Sequence, residues 1–333
     1  MEKNEPSSSV HNARRRFLIR GVRYGVGLAA LWGLGLSLAD WVGPSGLEFP
    51  GDARAGPFDW TVSSAPKAVA VVTGTSRAAC CAAGIAALGG MKTYVAPGDR
   101  VFVKVNAAFA SPPSLGATSH PELVETVVRL CMDAGAAEVV VSDNPINDPV
   151  SCFRLTGIAD AVRRSGARLW IPEEHRFRPV TLPGGRYLQH WPAWMDPFLR
   201  ADKVINVAPV KHHHRAGASM ICKNWYGLLG GPRNLFHQHV HDVIGELAAL
   251  FRPTLAVLDG VTAMVTNGPT GGSLADLKDS RTLIVSSDPV AADALGARIL
   301  NLDPEKLPYL ALAEKAGAGT LDVGRLTVHR LNA

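Results

Sequence analysis

Six short runs of branched apolar residues punctuate this chain. They are AVAVVT (Ala68–Thr73), RVFVKVN (Arg100–Asn106), EVVVS (Glu138–Ser142), KVINV (Lys203–Val207), TLAVL (Thr254–Leu258) and RTLIVS (Arg281–Ser286). Runs of this length, mostly without polar alternation, suit strands buried on both faces. Helical stretches lie between them: Ser76–Gly89, the segment from Pro121 to Gly135, Ser151–Ser165, His239–Phe251, Pro289–Leu300 and Pro304–Ala316. Ser119-His120-Pro121-Glu122 has capping-box spacing, with Ser119 as the expected cap. Strand–helix alternation of this kind predicts an α/β fold with a mainly parallel sheet and helices on both faces. Gly184-Gly185, between two extended runs in Arg178–His190, predicts a small hairpin insertion.

The N-terminal region reads as an address. Arg14-Arg15-Arg16-Phe17-Leu18 precedes a soft apolar run from Tyr24 to Ala39. The pattern resembles a twin-arginine export signal. At 16 residues the run is short for a bilayer span of about 20; an uncleaved signal anchor is the other reading. Residues 1–39 are therefore assigned to the signal, 40–66, rich in Gly and Pro, to a linker, and 67–333 to the α/β domain. Residues 1–39 hold six Lys/Arg against two Glu, +4 of the chain's +5. A body near +1 lacks the basic face that a nucleic-acid binder needs. The expected location is periplasmic, the expected partner at that stage is the twin-arginine export machinery, and membrane contact is expected only through the N-terminal segment.

The five cysteines show no C-x-x-C spacing, so no iron–sulfur cluster is expected. No G-x-G-x-x-G follows the first strand, and there is no P-loop lysine motif or G-x-S-x-G elbow. Chemistry is expected instead at the strand ends. In open α/β sheets, ligands bind outside the carboxyl ends of the strands. Those ends carry Lys104 and Asn106, Asp143 and Asn144, Asn206 and Lys211, Asp259, and Ser287 with Asp288. Lys104 interrupts an apolar run, where an unpaired ammonium is costly to bury, so it either faces solvent at an edge or meets an anion.

The densest polar stretch is Asn206–Asp242, which holds six of the chain's 11 histidines. His212, His213 and His214 are consecutive. His237, His239 and His241 alternate, and His237 and His241 have the i, i+4 spacing of a two-histidine metal pair if helical. Gly227–Asn234 (GLLGGPRN) reads either as a backbone anion nest or as a tight turn.

KVNAAFASPPSLGATSHPELVETVV, SDNP, INVAPVKHH, CKNWYGLLGG, VLDGVTAM, NGPTGG and SSDPVAADALGARIL occur in that order. Over roughly residues 67–320 this set resembles the uncharacterised family known as domain of unknown function 362. The resemblance implies conserved roles for Lys104 and Asn106, for Asn206, Lys211 and His213, for Lys223, Asn224 and Gly227, and for Asp259-Gly260 and Asp288 to Asp293. Many relatives carry a ferredoxin-like iron–sulfur domain, whose cysteines this chain lacks. Two functional readings remain. In one, Lys104, Lys211, His213 and Lys223 do the chemistry on a small anionic substrate held by Asn106, Asp143, Asn206, Asn224, Arg233 and Asp259, either with a divalent metal on His213, His237 and His241 or without a metal, His213 and His237 or His241 then serving as acid and base. In the other, the same pocket captures a metal or an anion without turnover.

Overall fold

The computed structural model describes residues 54–333. The twin-arginine segment and the first part of the expected linker lie outside the described residues. From Arg54 the linker reading is corrected. Two short strands, β1 (Arg54–Ala55) and β2 (Phe58–Asp59), already belong to the folded body. The aromatic residues explain why. Phe58 stacks on Phe251 with centroids 5.5 Å apart, and Trp60 packs against Phe198 at 5.1 Å and donates its indole N–H to the Ala201 carbonyl. A stretch without periodicity can still be anchored by single aromatic side chains, which bury a large apolar area each.

The central sheet contains β3 (Ala68–Thr73), β4 (Arg100–Lys104), β5 (Glu138–Ser142), β6 (Arg168–Leu169), β9 (Lys203–His213), β10 (Gly217–Ser219), β12 (Leu255–Met264), β13 (Leu277–Ser286) and β14 (Thr327–Asn332). Its order is β14-β3-β13-β12-β9-β4-β5-β6, with β10 folded back on β9. The pairs β14–β3, β12–β9, β9–β4, β4–β5 and β5–β6 are parallel. Strand β13 runs antiparallel to both neighbours. That reversal moves Ser287 and Asp288 to the opposite sheet edge from the other strand ends. Asp288 there caps a helix, accepting from the Ala291 and Thr320 amides.

Helices cover both faces. On one side lie α1 (Arg77–Ala87), α2 (Pro121–Asp133), α3 (Pro149–Leu155) and α4 (Ile158–Ser165). On the other lie α5 (Asp196–Arg200), α6 (Ile221–Asn224), α7 (Val240–Leu250), α8 (Pro289–Ile299) and α9 (Pro308–Lys315). The strands alternate between two cores: Val101 and Val103 face the first set, while Phe102 faces the second. The hairpin insertion is present as β7 (Arg178–Thr181) and β8 (Trp191–Ala193), which form a small sheet with β1, and β11 (Phe251–Arg252) pairs with β2.

Two local expectations change. His120, not Ser119, caps α2, its Nδ1 accepting from the Glu122 amide. Ser119 instead accepts from the Asn106 amide and donates to the Val207 carbonyl, and Glu122 accepts from the Ala78 amide. The KVINV strand also continues past Pro209 to His213, so Lys211 and the three histidines stand on or at the end of a strand. Among the described residues no helix is long and apolar enough to cross a membrane. All five cysteines are free and buried.

Candidate functional site

The period of two along β4 puts Phe102, Lys104 and Asn106 on one sheet face, and register sets Lys104 beside Asn206 of β9. Lys104 is wholly buried. Its Nζ forms an ion pair with Asp143 Oδ1 at 2.7 Å and donates to the carbonyls of Val105 and Asn224. Of the two readings its sequence context offered, an exposed edge or an anion, the second holds, and the anion is a protein carboxylate. Burial pulls the lysine below its ordinary pKa, and Asp143 opposes that. Asp143 also accepts from the Ala107 amide at 2.6 Å. Gly227 packs against this pair so closely that any Cβ there would collide with the Asp143 carboxylate.

Above this pair runs a chain of amides. Lys211 Nζ donates to Asn106 Oδ1 (3.3 Å) and to the Ala117 carbonyl (2.6 Å). Asn106 Nδ2 donates to Asn224 Oδ1 at 3.0 Å. Asn224 Nδ2 donates to Asn206 Oδ1 at 2.7 Å, and Asn206 Nδ2 to the Ile221 carbonyl at 3.1 Å. Each amide is oriented by its neighbours, so the chain fixes rotamers as well as satisfying buried polar atoms. The short helix α6, which carries Lys223 and Asn224, is fixed from below. Asp293 of α8 accepts from the amides of Ile221 (2.8 Å) and Cys222 (2.9 Å), and its burial raises its pKa to about 7.

These elements enclose a cavity of about 340 Å³ at the carboxyl edge of the parallel strands. Asn106, Asp143, Lys211, His213, Lys223, Asn224, Arg233 and His237 line it. Lys104 and Asn206 sit beneath it. Asp259 is not part of it: its carboxylate accepts from Arg77 Nε at 2.7 Å and from the Val261 amide, fixing the start of α1. His241 is not part of it either. Its ring stacks on Tyr309, 6.1 Å away, on the far side of α7. The triad of His213, His237 and His241 therefore does not form one ligand set. Among the described residues no group of three or more His, Cys, Asp or Glu is arranged around a metal position.

Three of the imidazoles stack at the cavity. His213 lies between His214 and His237 in a parallel stack, at 5.1 Å and 6.0 Å. Its Nδ1 accepts from the amides of Arg215 and Ala216, both at 3.2 Å. The proton of the neutral ring is then on Nε2. A metal-bound histidine has the reverse pattern, with the second nitrogen donating outward. Burial, followed by the charge of Lys223, lowers the His213 pKa to about 2, so the ring is a neutral Nε2–H donor. His237 is complementary. Its Nδ1 faces the Asn234 carbonyl at 3.2 Å, which assigns the proton there and leaves a lone pair on Nε2.

Positive charge dominates the cavity. Lys211 is depressed to about 7, by burial and then by Lys223; Lys223 is depressed to about 8, by burial and then by Arg233. Arg233 is a clip: its guanidinium donates to the carbonyls of Asn144, Tyr226, Leu229 and Pro145. The amides of Leu229, Gly230 and Arg233 bond to protein carbonyls, so Gly227–Asn234 is a turn and not an anion nest. Sequence reasoning did not single out Phe109, Tyr226 or the loop Asn267–Thr270, which complete the wall. Their signals were the aromatic residue inside KNWYG and the turn residues of NGPTGG.

The family match agrees with the residues just described. The DUF362 pattern, described as a domain of unknown function, matches residues 101–298. The chain belongs to the DUF362 family. The thylakoid-associated protein sll1697 of Synechocystis is 29% identical over 243 residues, covering 69% of this chain and 72% of that protein. No solved structure gives a significant match. The cavity residues named above, from Asn106 to His237, all fall inside the matched span.

Proposed function

We propose that the protein is an exported enzyme that binds a small anionic substrate in this cavity and moves a proton on it. One observation carries the reading: two lysine ammoniums face the cavity, and the carboxylate that lines it, Asp143, is already paired with Lys104. Unpaired buried charge is costly, and an anion would relieve it. Lys211, Lys223 and the Nε2–H of His213 supply donors, and the Nε2 of His237 is the available base. The cavity volume suits a small metabolite rather than a polymer. Export rests on the twin-arginine pattern, and a thylakoid-associated relative fits a membrane-adjacent life.

Thermal shift across a panel of phosphate, oxalate, malonate and pyruvate, against chloride at equal ionic strength, tests the site. At least one anion is expected to raise Tm, and K211M together with K223M to abolish the rise. A response unchanged in that double variant would overturn the assignment. Saturable binding with no turnover of any bound compound would favour capture over catalysis. For export, replacing Arg14 and Arg15 with lysine should leave a reporter fusion in the cytoplasm; unimpaired export would remove the twin-arginine reading.

A further inference from the structure

The three lysines at this site differ in what they touch. Lys104 has Asp143 and two carbonyls. Lys211 is tied by the Ala117 carbonyl and Asn106 and lies over the Phe109 ring at 5.3 Å. Lys223 has neither kind of partner. Among the described residues its Nζ meets no carboxylate and no hydrogen-bond acceptor, and it rests 4.7 Å from the centre of the Tyr226 ring. The Tyr226 hydroxyl, on a residue that lines the same cavity, is buried and also without a partner. A buried hydroxyl ordinarily has one, and an oxygen of a ligand in this cavity would serve.

An ammonium meant only for charge attraction is best left fully charged. Lys223 is instead 9% exposed and close enough to Arg233 and Lys211 for their charges to act on it, an environment that favours the free, nucleophilic amine. Its depressed pKa, about 8, agrees. We propose that Lys223 condenses with the carbonyl of a small 2-oxo acid, whose carboxylate is held by Lys211. This rests on the anion-binding reading above and narrows its substrate class.

The step balances without any further reagent. The Nζ ammonium first passes one proton to His237 Nε2. The freed lone pair forms the new C–N bond as the carbonyl π pair moves to oxygen, where the His213 Nε2–H donates a hydrogen bond, and that oxygen takes the proton from His237. A second proton follows the same route from Nζ through His237 to the hydroxyl, which leaves as water as the nitrogen lone pair closes the C=N bond. The net change is ammonium plus ketone to protonated imine plus water. The parallel stack of His213 and His237 puts donor and acceptor imidazoles on the same cavity wall.

Full-chain protein is incubated at pH 8 with glyoxylate, pyruvate or 2-oxoglutarate and sodium cyanoborohydride, then analysed by intact mass and peptide mapping. Thermal shift with the same acids runs in parallel. The expected result is one reduced adduct, on Lys223, forming at least about tenfold faster than on exposed lysines, since a lower pKa leaves far more free amine at pH 8. K223R keeps a cation but cannot form an imine; it should lose the adduct while retaining the shift. Stabilisation by these acids with no adduct, or with the adduct on Lys211 or spread over surface lysines, would overturn the inference and leave anion binding intact. No stabilisation by any carboxylate or phosphate would overturn both.

Discussion

Lys104 and Asp143 show how one residue can support a cavity without lining it. The ammonium is fully buried, in the middle of a parallel sheet, and its nearest anion is 2.7 Å away. Removing one partner of such a pair strands the other in a medium that solvates it poorly, typically at a cost of about 3–5 kcal/mol. K104M is therefore expected to lower the unfolding free energy in urea by that order. The double replacement K104M/D143L should recover part of the loss, because two apolar side chains leave no orphan charge. A double variant as unstable as the sum of the singles would show that the pair is not coupled. G227A belongs to the same test. Its methyl group would press on the Asp143 carboxylate, so it should destabilise without changing charge.

At the scale of elements, the short helix α6 is the part least able to stand alone. Four residues are too few to sustain a helix by propensity. Its position depends on Asp293, which accepts from two amides at its start. Asp293 does not touch the cavity, yet it sets where Lys223 and Asn224 point. D293A is expected to cost about 1–2 kcal/mol, the usual scale for a lost cap. It should also weaken anion-induced stabilisation out of proportion to that loss. An unchanged anion response in a destabilised D293A would show that α6 is held by other contacts. The sequence made much of this architecture legible. The branched runs give the sheet, and the Lys-x-Asn and Lys-Asn-x-x-Gly spacings give Lys104, Asn106, Lys223 and Asn224. What it hid depends on direction and partner. Asp259 follows an apolar strand as Asp143 does, but Arg77 of α1 reaches it first. Ser287 and Asp288 end a run like the others, but β13 is reversed. His241 keeps helical spacing from His237, yet the helix begins at Val240 and His237 belongs to the preceding 3-10 turn. Composition and periodicity do not encode these choices, which are made by tertiary contacts.

Across the whole molecule, the cost of the site should appear as pH-dependent stability. Lys211 and Lys223 fall from 10.5 to about 7 and about 8 on folding. Below their folded pKa values both states are protonated, and the penalty for burying the charges is fully present. Between about pH 7 and 10.5 the unfolded chain binds more protons than the folded one, so unfolding free energy rises with pH. Above 10.5 the penalty is gone. Asp293 works in the opposite sense at lower pH: raised from 3.8 to about 7, it favours the folded state most when acid and loses that advantage as pH climbs through 7. The lysine gradient therefore stands out above about pH 7. Urea titrations between pH 7 and 10 are expected to show rising stability in the wild type and a shallower rise in K211M, which removes the more depressed lysine. An anion that fills the cavity should flatten the gradient too, by returning the lysines to their charged form, and its binding near pH 8 should take up protons. Calorimetry in two buffers of different ionisation enthalpy measures that uptake directly. Binding that releases protons, or that leaves the pH gradient untouched, would mean that the anion does not sit against Lys211 and Lys223.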